Sequence, residues 1–525
     1  DERPNINLIV EGSLIPTTLF EEEGGCPPDC ISEGRPVIDV ATIVPTITSI
    51  TELSVEEIET EFTDEVAEYN GVDRPQPRSL PQIQGDLQAV EDATGVKPAI
   101  IYVLFTPTTV NTEDETSPTA EKVSAKAGTA QPNPVPEVLW EFSDSASPLN
   151  LAQAQLPSAI DREILPSDEL EVVLVTAKGN PIRIRVAGAN RSRVEQAAAL
   201  LRQEISDPSR TGSSRYLQPS RLLYNWIIRP LETALEENEI DNLVFVMESG
   251  LRSIPVAALH NGEQFLIEKY SAGLMPSLSL TDTRYQDIRQ VRLLGMGASQ
   301  FEDQSDLPTV PLELSTIAGE IWRNGEYYLN EDFTIENLRR RSQNFGIIHL
   351  ATHADFLPGS VENSYIALSR ERISMNNLRE FGWQSTDPET DPAVELLTLS
   401  ACKTAIGSED AELGFAGLAV QAGVKSALAS LWYVSDAATT GLMTKFYEVL
   451  ADSQTAPIKA EALRQAQLAF ARGEISVEGS ELRGLGGIRG GSGIVLPPDS
   501  LQLLNDRELS HPYYWASFTL VGSPW

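Results

Sequence analysis

Three cysteines and four histidines in 525 residues leave too little material for a disulfide-built scaffold or for a cage of histidine and thiolate metal ligands. Positive charge is scarce as well: 39 basic residues stand against 76 acidic ones, a net charge of −37. That is the wrong sign for a protein that gains affinity by neutralising phosphates, so nucleic acid is excluded as a leading partner, and an anionic membrane surface with it. Long apolar runs are missing too. The longest weakly polar stretch, Leu413 to Trp432, is interrupted by Gln421 and Lys425 and reads as a buried helix followed by a buried strand, with no membrane span. There is no initiator Met and no apolar signal segment, so Asp1 reads as a cut or processed end. A removed secretory signal would place the chain outside the cytoplasm; a cytoplasmic location is the alternative. In an oxidising compartment Cys26 and Cys30 of CPPDC close a short disulfide loop, and in a reducing one they are inert thiols.

What is present is globular. Hydrophobic residues make up 41% of the chain, enough for a sizeable core, and the length suits several domains or one large α/β unit with attachments. Residues 1–36 read as an extended N-terminal arm. Residues 37–105 read as a small α/β leader: Ser54 and Glu57 form a capping-box pattern opening an acidic helix to about Tyr69. Ile83, Leu87 and Val90 recur at helical spacing, Gly95 ends that helix, and AIIYVLF from Ala99 to Phe105 is a buried strand. From 106 to 150 the composition turns to Pro, Thr, Ser and Glu without apolar periodicity, a solvated and protease-sensitive insertion. Over 151–210 the leader resumes with a hairpin, Leu170 to Thr176 and Ile182 to Val186, and a helix.

From 211 to 525 short apolar runs alternate with helical patterns. The runs are Leu243 to Met247, Val291 to Leu294, Ile347 to Leu350, Leu396 to Leu399 and Ala427 to Leu431. This predicts an α/β fold with a mainly parallel sheet flanked by helices. Ligands of such sheets collect beyond the carboxyl ends of the strands. Three of those ends read HLATHADF, TLSACKTAIG and SLWYVSDAAT, and they carry His353, Cys402 and Asp436. A thiol becomes a nucleophilic thiolate beside a base, and an imidazole at a neighbouring strand end supplies one. The 49-residue spacing from His353 to Cys402 fits the roughly 50 residues between the histidine and the cysteine of caspases, whose local cysteine signature is absent here.

Together HLATHA, LLTLSAC, GFAGLAVQAGVKSALASLW, GLRSIPVAALH and the closing HPYYWASFTLVGSPW resemble the CHAT domain, a caspase-like family of cysteine peptidases, from about Tyr216 to the end. The leader around AIIYVLF is similar to that of secreted-type cyanobacterial members. The tetratricopeptide array that often precedes such domains has no counterpart, since no 34-residue period is present. The resemblance implies a caspase-like fold, no cofactor or metal, and a protein or peptide substrate. It makes His353 the general base and Cys402 the nucleophile, with the oxyanion held by the backbone N–H groups of Ala354 and Cys402.

Several acids lie close in sequence to these strand ends. Asp436, Asp355 and Glu412 are the candidates for pairing with a basic substrate side chain, with Asp436 first and Asp410 beside them. Asp436 equally suits capping the helix that runs to Leu450. His349, His260 and His511 read as packing or surface residues, and the Gly-rich segment from Gly484 to Gly493 lacks the Lys-Ser/Thr ending of a phosphate cradle. The leading expectation is a cysteine endopeptidase acting after basic residues. Lys122 and Lys126 in the insertion would then suit cleavage of the chain by itself. The alternative is a non-catalytic protein that self-assembles by adding its N-terminal arm to a neighbour's sheet edge.

Overall fold

The computed structural model describes residues 53–107, 164–384, 394–400, 409–452, 458–485, 493–502, 504 and 508–525. It also describes strands β1 (Leu8–Val10) and β2 (Ser13–Ile15) and the backbone of Cys402–Lys403. Cys26, Cys30 and all but the first two residues of the 106–150 insertion lie outside the described residues. The chain divides into two units, Asp1–Val44 and Pro45–Trp525. In the first, β1 pairs antiparallel with β2. The expected extended arm therefore contains a pair of short antiparallel strands.

The second unit opens with α1 (Val55–Asn70), where Ser54 and Glu57 complete the capping box and Gly71 ends the helix in the left-handed region at φ 60°. Ile58, Phe62 and Val66 recur every four residues on its buried face. Helix α2 (Leu80–Thr94) follows and buries Ile83, Leu87 and Val90. Then come β3 (Pro98–Thr106), β4 (Glu169–Thr176), β5 (Ile182–Asn190), α3 (Arg191–Ser206), α4 (Leu217–Ile227), α5 (Glu232–Glu237), β6 (Asn242–Met247) and β7 (Ser271–Leu274).

Beyond them lie β8 (Leu293–Gly297), α6 (Val310–Leu314) running on as a π-helical stretch Ser315–Ile321, β9 (Gly325–Leu329), α7 (Ile335–Ser342) and β10 (Ile347–Ala351). After these come β11 (Ala354–Asp355), β12 (Tyr365–Ala367), β13 (Arg372–Ser374), β14 (Leu396–Leu399), β15 (Cys402–Lys403), α8 (Glu409–Ala416), α9 (Leu418–Ala422) and β16 (Ser426–Ser430). The chain closes with α10 (Asp436–Ala451), α11 (Lys459–Ala471), β17 (Ser476–Glu478), β18 (Glu481–Arg483), β19 (Ile494–Val495), α12 (Pro498–Gln502) and β20 (Phe518–Gly522).

Eleven strands form one sheet in the order β5-β4-β3-β6-β7-β20-β16-β14-β10-β8-β9. Most neighbours are parallel; the antiparallel pairs are β5 with β4, β4 with β3, and β20 with β16. At the β20/β16 boundary the strand direction reverses: β3, β6, β7 and β20 run one way and β16, β14, β10, β8 and β9 the other, with β4 alone among the strands beyond β20 sharing the second direction. In the half built from β16, β14, β10, β8 and β9, all carboxyl ends therefore emerge at one rim. Every residue of β6, β10, β14 and β16 is buried, as expected of strands covered on both faces. The stretch Leu413 to Trp432 is buried as expected, but its helical part is two pieces, the end of α8 and α9, separated at Gly417, and Gly423 ends α9 at φ 71° before β16. Among the described residues no helix is long and apolar enough to cross a membrane.

Candidate active site

Strands β10 and β14 are parallel neighbours, and Ile347 through Leu350 pair with Leu396 through Leu399 at a constant offset of 49 residues. The 49-residue spacing between His353 and Cys402 equals this register. Both chains then leave the main sheet and pair again in a four-stranded ribbon, β13-β12-β11-β15. There Ala354 is opposite Cys402 and Asp355 opposite Lys403. The offset has fallen by one, so His353 immediately precedes the residue that faces Cys402. The backbone of the expected nucleophile is thus hydrogen-bonded into the strand that begins one residue after the expected base. Ser400 N, donating to Leu350 O at 3.0 Å, carries the pairing up to the switch.

His353 is 9% exposed. Its Nε2 is 2.7 Å from the carbonyl oxygen of Ser305, and the Phe301 ring lies 4.7 Å from its own, centroid to centroid. A carbonyl only accepts, so Nε2 carries the hydrogen, and in the neutral ring the lone pair is on Nδ1. The backbone is fixed from the other side: the carbonyl of His353 accepts from Ala367 N at 2.8 Å, and the Thr352 hydroxyl donates to Ala367 O at 2.5 Å. Ala354, expected to lend its N–H to an oxyanion, is wholly buried.

The acids take distinct places. Asp355 is two residues beyond His353 and accepts from the Tyr365 hydroxyl at 2.5 Å. Burial, followed by that bond, pushes the Tyr365 phenol up to about 12. Asp410 accepts from Gly359 N at 2.9 Å. Glu412 is buried on α8; the Arg202 guanidinium stands 3.3 Å from its Oε1 and the Ser253 hydroxyl donates to it. Burial raises its pKa against the opposing pull of Arg202. Asp436 is 7% exposed and is the first residue of α10, Ser435 being the cap. Its Oδ2 accepts from Thr309 N at 2.7 Å. The carboxylates of Glu412 and Asp436 are thus engaged by groups of the chain itself, Glu412 because α3 brings a guanidinium to it and Asp436 because the turn before α6 folds onto α10.

Residues 217–523 match the CHAT domain family. The chain belongs to the CHAT domain family. No curated protein matches it. Among solved structures it is similar to the Saccharomyces cerevisiae separase–securin complex, at 15% identity and a TM-score of 0.34 over 65% of this chain. The match spans about a fifth of the separase-complex chain, 21%. It is also similar to the Arg-specific cysteine proteinase gingipain R, at 11% identity and a TM-score of 0.32 over 63% of this chain and 73% of that one. A complex of Porphyromonas gingivalis RgpB pro- and mature domains gives 11% identity and a TM-score of 0.30, covering 63% and 76% of the two chains.

Within the CHAT domain the other histidines serve packing and turns. His349 is wholly buried, 2.8 Å from Glu313 Oε1 and 3.2 Å from the Tyr447 hydroxyl. His260 Nδ1 accepts from Gly262 N, and His511 Nδ1 from Tyr513 N. Among the described residues no group of three or more His, Cys, Asp or Glu is placed to hold a metal. The site residues that sequence reasoning missed are Phe301 and Ser305, in the segment between β8 and α6. Ser305 acts through its carbonyl, which no side-chain pattern reports. The lone aromatic Phe301 in the polar run SQFEDQSDL was the available signal. Gly297, at the end of β8, is a second: a Cβ there would lie 2.6 Å from Ala351 O and 2.8 Å from Val310 Cγ1. Only glycine lets α6 and the end of β10 approach each other across this strand.

Proposed function

We propose that the chain is a cysteine endopeptidase in which Cys402 attacks and His353 transfers protons. The observation that carries this reading is the pairing of Ala354 with Cys402, which joins the backbones of the two strand extensions beside the imidazole. The Cys402 thiol passes its proton to His353 Nδ1, because Nε2–H is already donated to Ser305 O. The thiolate adds to the scissile carbonyl carbon, and the oxyanion is received by the N–H groups of Cys402 and Ala354. Collapse breaks the C–N bond; the leaving amine takes the proton from the imidazolium, and a thioester remains. Water then gives one proton to His353 and its hydroxide to the acyl carbon, releasing the acid and restoring the thiol.

A basic side chain before the scissile bond is the proposed preference, with Asp355 as its partner. Asp355 lies two residues from the base, and a desolvated carboxylate pairs strongly with guanidinium or ammonium. Asp436 and Glu412, expected to share that task, are engaged by the Thr309 backbone and by a guanidinium with Ser253, whereas the donor to Asp355 is the neutral phenol of Tyr365. Fluorogenic peptides with Arg, Lys, Ala or Asp before the cleavable bond test the whole reading. Turnover of the basic peptides should disappear in Cys402→Ala and His353→Ala chains that melt like the parent. Turnover that survives in the Cys402→Ala chain removes the dyad, and equal turnover of all four peptides removes Asp355 from the specificity.

A further inference from the structure

The segment 298–309 presents Ser305 to His353, and it is itself held at both ends. Near β8, Ser299 donates from its N and its hydroxyl to Asn330 Oδ1 at 2.9 and 3.1 Å. Near α6 the holding group is Asp436. Thr309 N donates to Asp436 Oδ2 at 2.7 Å, and the Thr309 hydroxyl lies 3.2 Å from Asp436 O and 2.7 Å from Thr440 Oγ1. Thr309 is wholly buried, so water offers its N–H no substitute, and an orphaned donor there would force the turn to move. Ser305 is four residues from this anchor. Resting on the peptidase reading above for its catalytic consequence, the structure assigns Asp436 as a positioning residue: its carboxylate pins Thr309, and the pinned segment orients the His353 ring through Ser305 O.

The surroundings of Asp436 support a load-transmitting rather than a substrate-binding carboxylate. From α6, Glu313 faces it, and Glu313 Oε2 accepts from Thr440 at 3.1 Å while Oε1 meets His349. From the connection after β16, Tyr433 is the neighbouring phenol, raised mainly by its own burial and further by Asp436. Through Glu313, the polar groups reach His349 on β10 and, through Tyr447, Thr398 on β14. Asp436 therefore terminates a buried hydrogen-bonded network that runs beneath the same two strands whose ends carry His353 and Cys402. Burial, with Glu313 adding to it, raises the Asp436 carboxyl to about 6, so the charge that strengthens its acceptor bond to Thr309 N is acquired across mildly acidic pH.

The test uses the full chain labelled with ¹⁵N-histidine, whose four imidazoles are few enough to assign, beside the basic fluorogenic peptide. Asp436→Ala should abolish the protected Nε2–H signal of His353 while leaving that of His349, and lower kcat about tenfold with KM within twofold. Asp436→Asn keeps an oxygen acceptor; it should retain the His353 signal, restore most of kcat, and lose the part of the acid limb of the pH profile that Asp436 contributes. Should Asp436→Ala fail to fold, Asp436→Ser is read in its place, since its short hydroxyl keeps a helix-start residue but does not reach Thr309. An unchanged His353 signal in the Ala or Ser chain overturns the assignment, as does an Asn chain damaged as badly as the Ala chain. A parent chain that cleaves no peptide while its His353 signal still depends on Asp436 removes the peptidase reading and keeps the positioning one.

Discussion

Replacing Asp436 by Asn should change how stability depends on pH. Burial holds the folded carboxyl at about 6 against an ordinary value of 3.8, a rise of about 2 units and so about 3 kcal/mol. The folded chain holds more protons than the unfolded one between these two values. Stability from this group is therefore greatest below about pH 3.8 and is lost as pH rises through about 6. Asn does not titrate and still offers an oxygen to Thr309 N. Urea unfolding of parent and Asp436→Asn chains at pH 4 and pH 7.5 measures the difference directly, because every other titrating group is common to both. The variant should gain about 2–2.5 kcal/mol on the parent between the two pH values, since part of the effect is already lost at pH 4. A difference between the chains that stays constant with pH would refute the reasoning, since it would mean that the carboxyl titrates alike in the folded and unfolded states.

Gly297→Ala places a methyl group against Ala351 O and Val310 Cγ1, two residues before His353; it should cost about 1–3 kcal/mol and reduce peptide turnover, which a melt matching the parent's together with full turnover would contradict. Arg202→Met leaves the buried Glu412 carboxylate without its guanidinium and should destabilise by about 3–5 kcal/mol. Adding Glu412→Leu should recover most of that loss in a double-mutant cycle, and a double variant no better than the single one would show that the pair is not coupled. An electrophilic peptidyl ketone carrying Arg should label Cys402 and leave His353→Ala chains unlabelled, as read by mass spectrometry of the tryptic peptide.

The main sheet was legible wherever both faces of a strand are covered, because such strands read as continuous apolar runs: AIIYVLF became β3 and LLTL became β14. Strand β8 starts two residues later than the run from Val291 suggests, since Val291 is still in a turn, its N donating to Ile288 O. Strands β7 and β9 carried no such signal. In β7 the sequence SAGL is short, and Gly273 is needed because Pro524 packs onto it, 2.9 Å from where a Cβ would lie. The residues GEYYL of β9 are outermost, with Tyr327 exposed. Strands of two residues, such as β11 and β15, are too short to show any period at all. The spacing of His353 and Cys402 was readable because it repeats a strand register, whereas Ser305 is selected by the path of a backbone that sequence patterns do not encode.

The reversal between β20 and β16 has an architectural price for assembly. The strands that precede the CHAT domain in the chain continue its sheet: β7 and β6 of the domain lie beyond β20, and β3, β4 and β5 extend outward from β6. One flank of the half that carries His353 is thereby covered within a single molecule. Among the described residues, a second copy seeking to lengthen this eleven-stranded sheet would meet Ile182–Asn190 at one extremity or Gly325–Leu329 at the other.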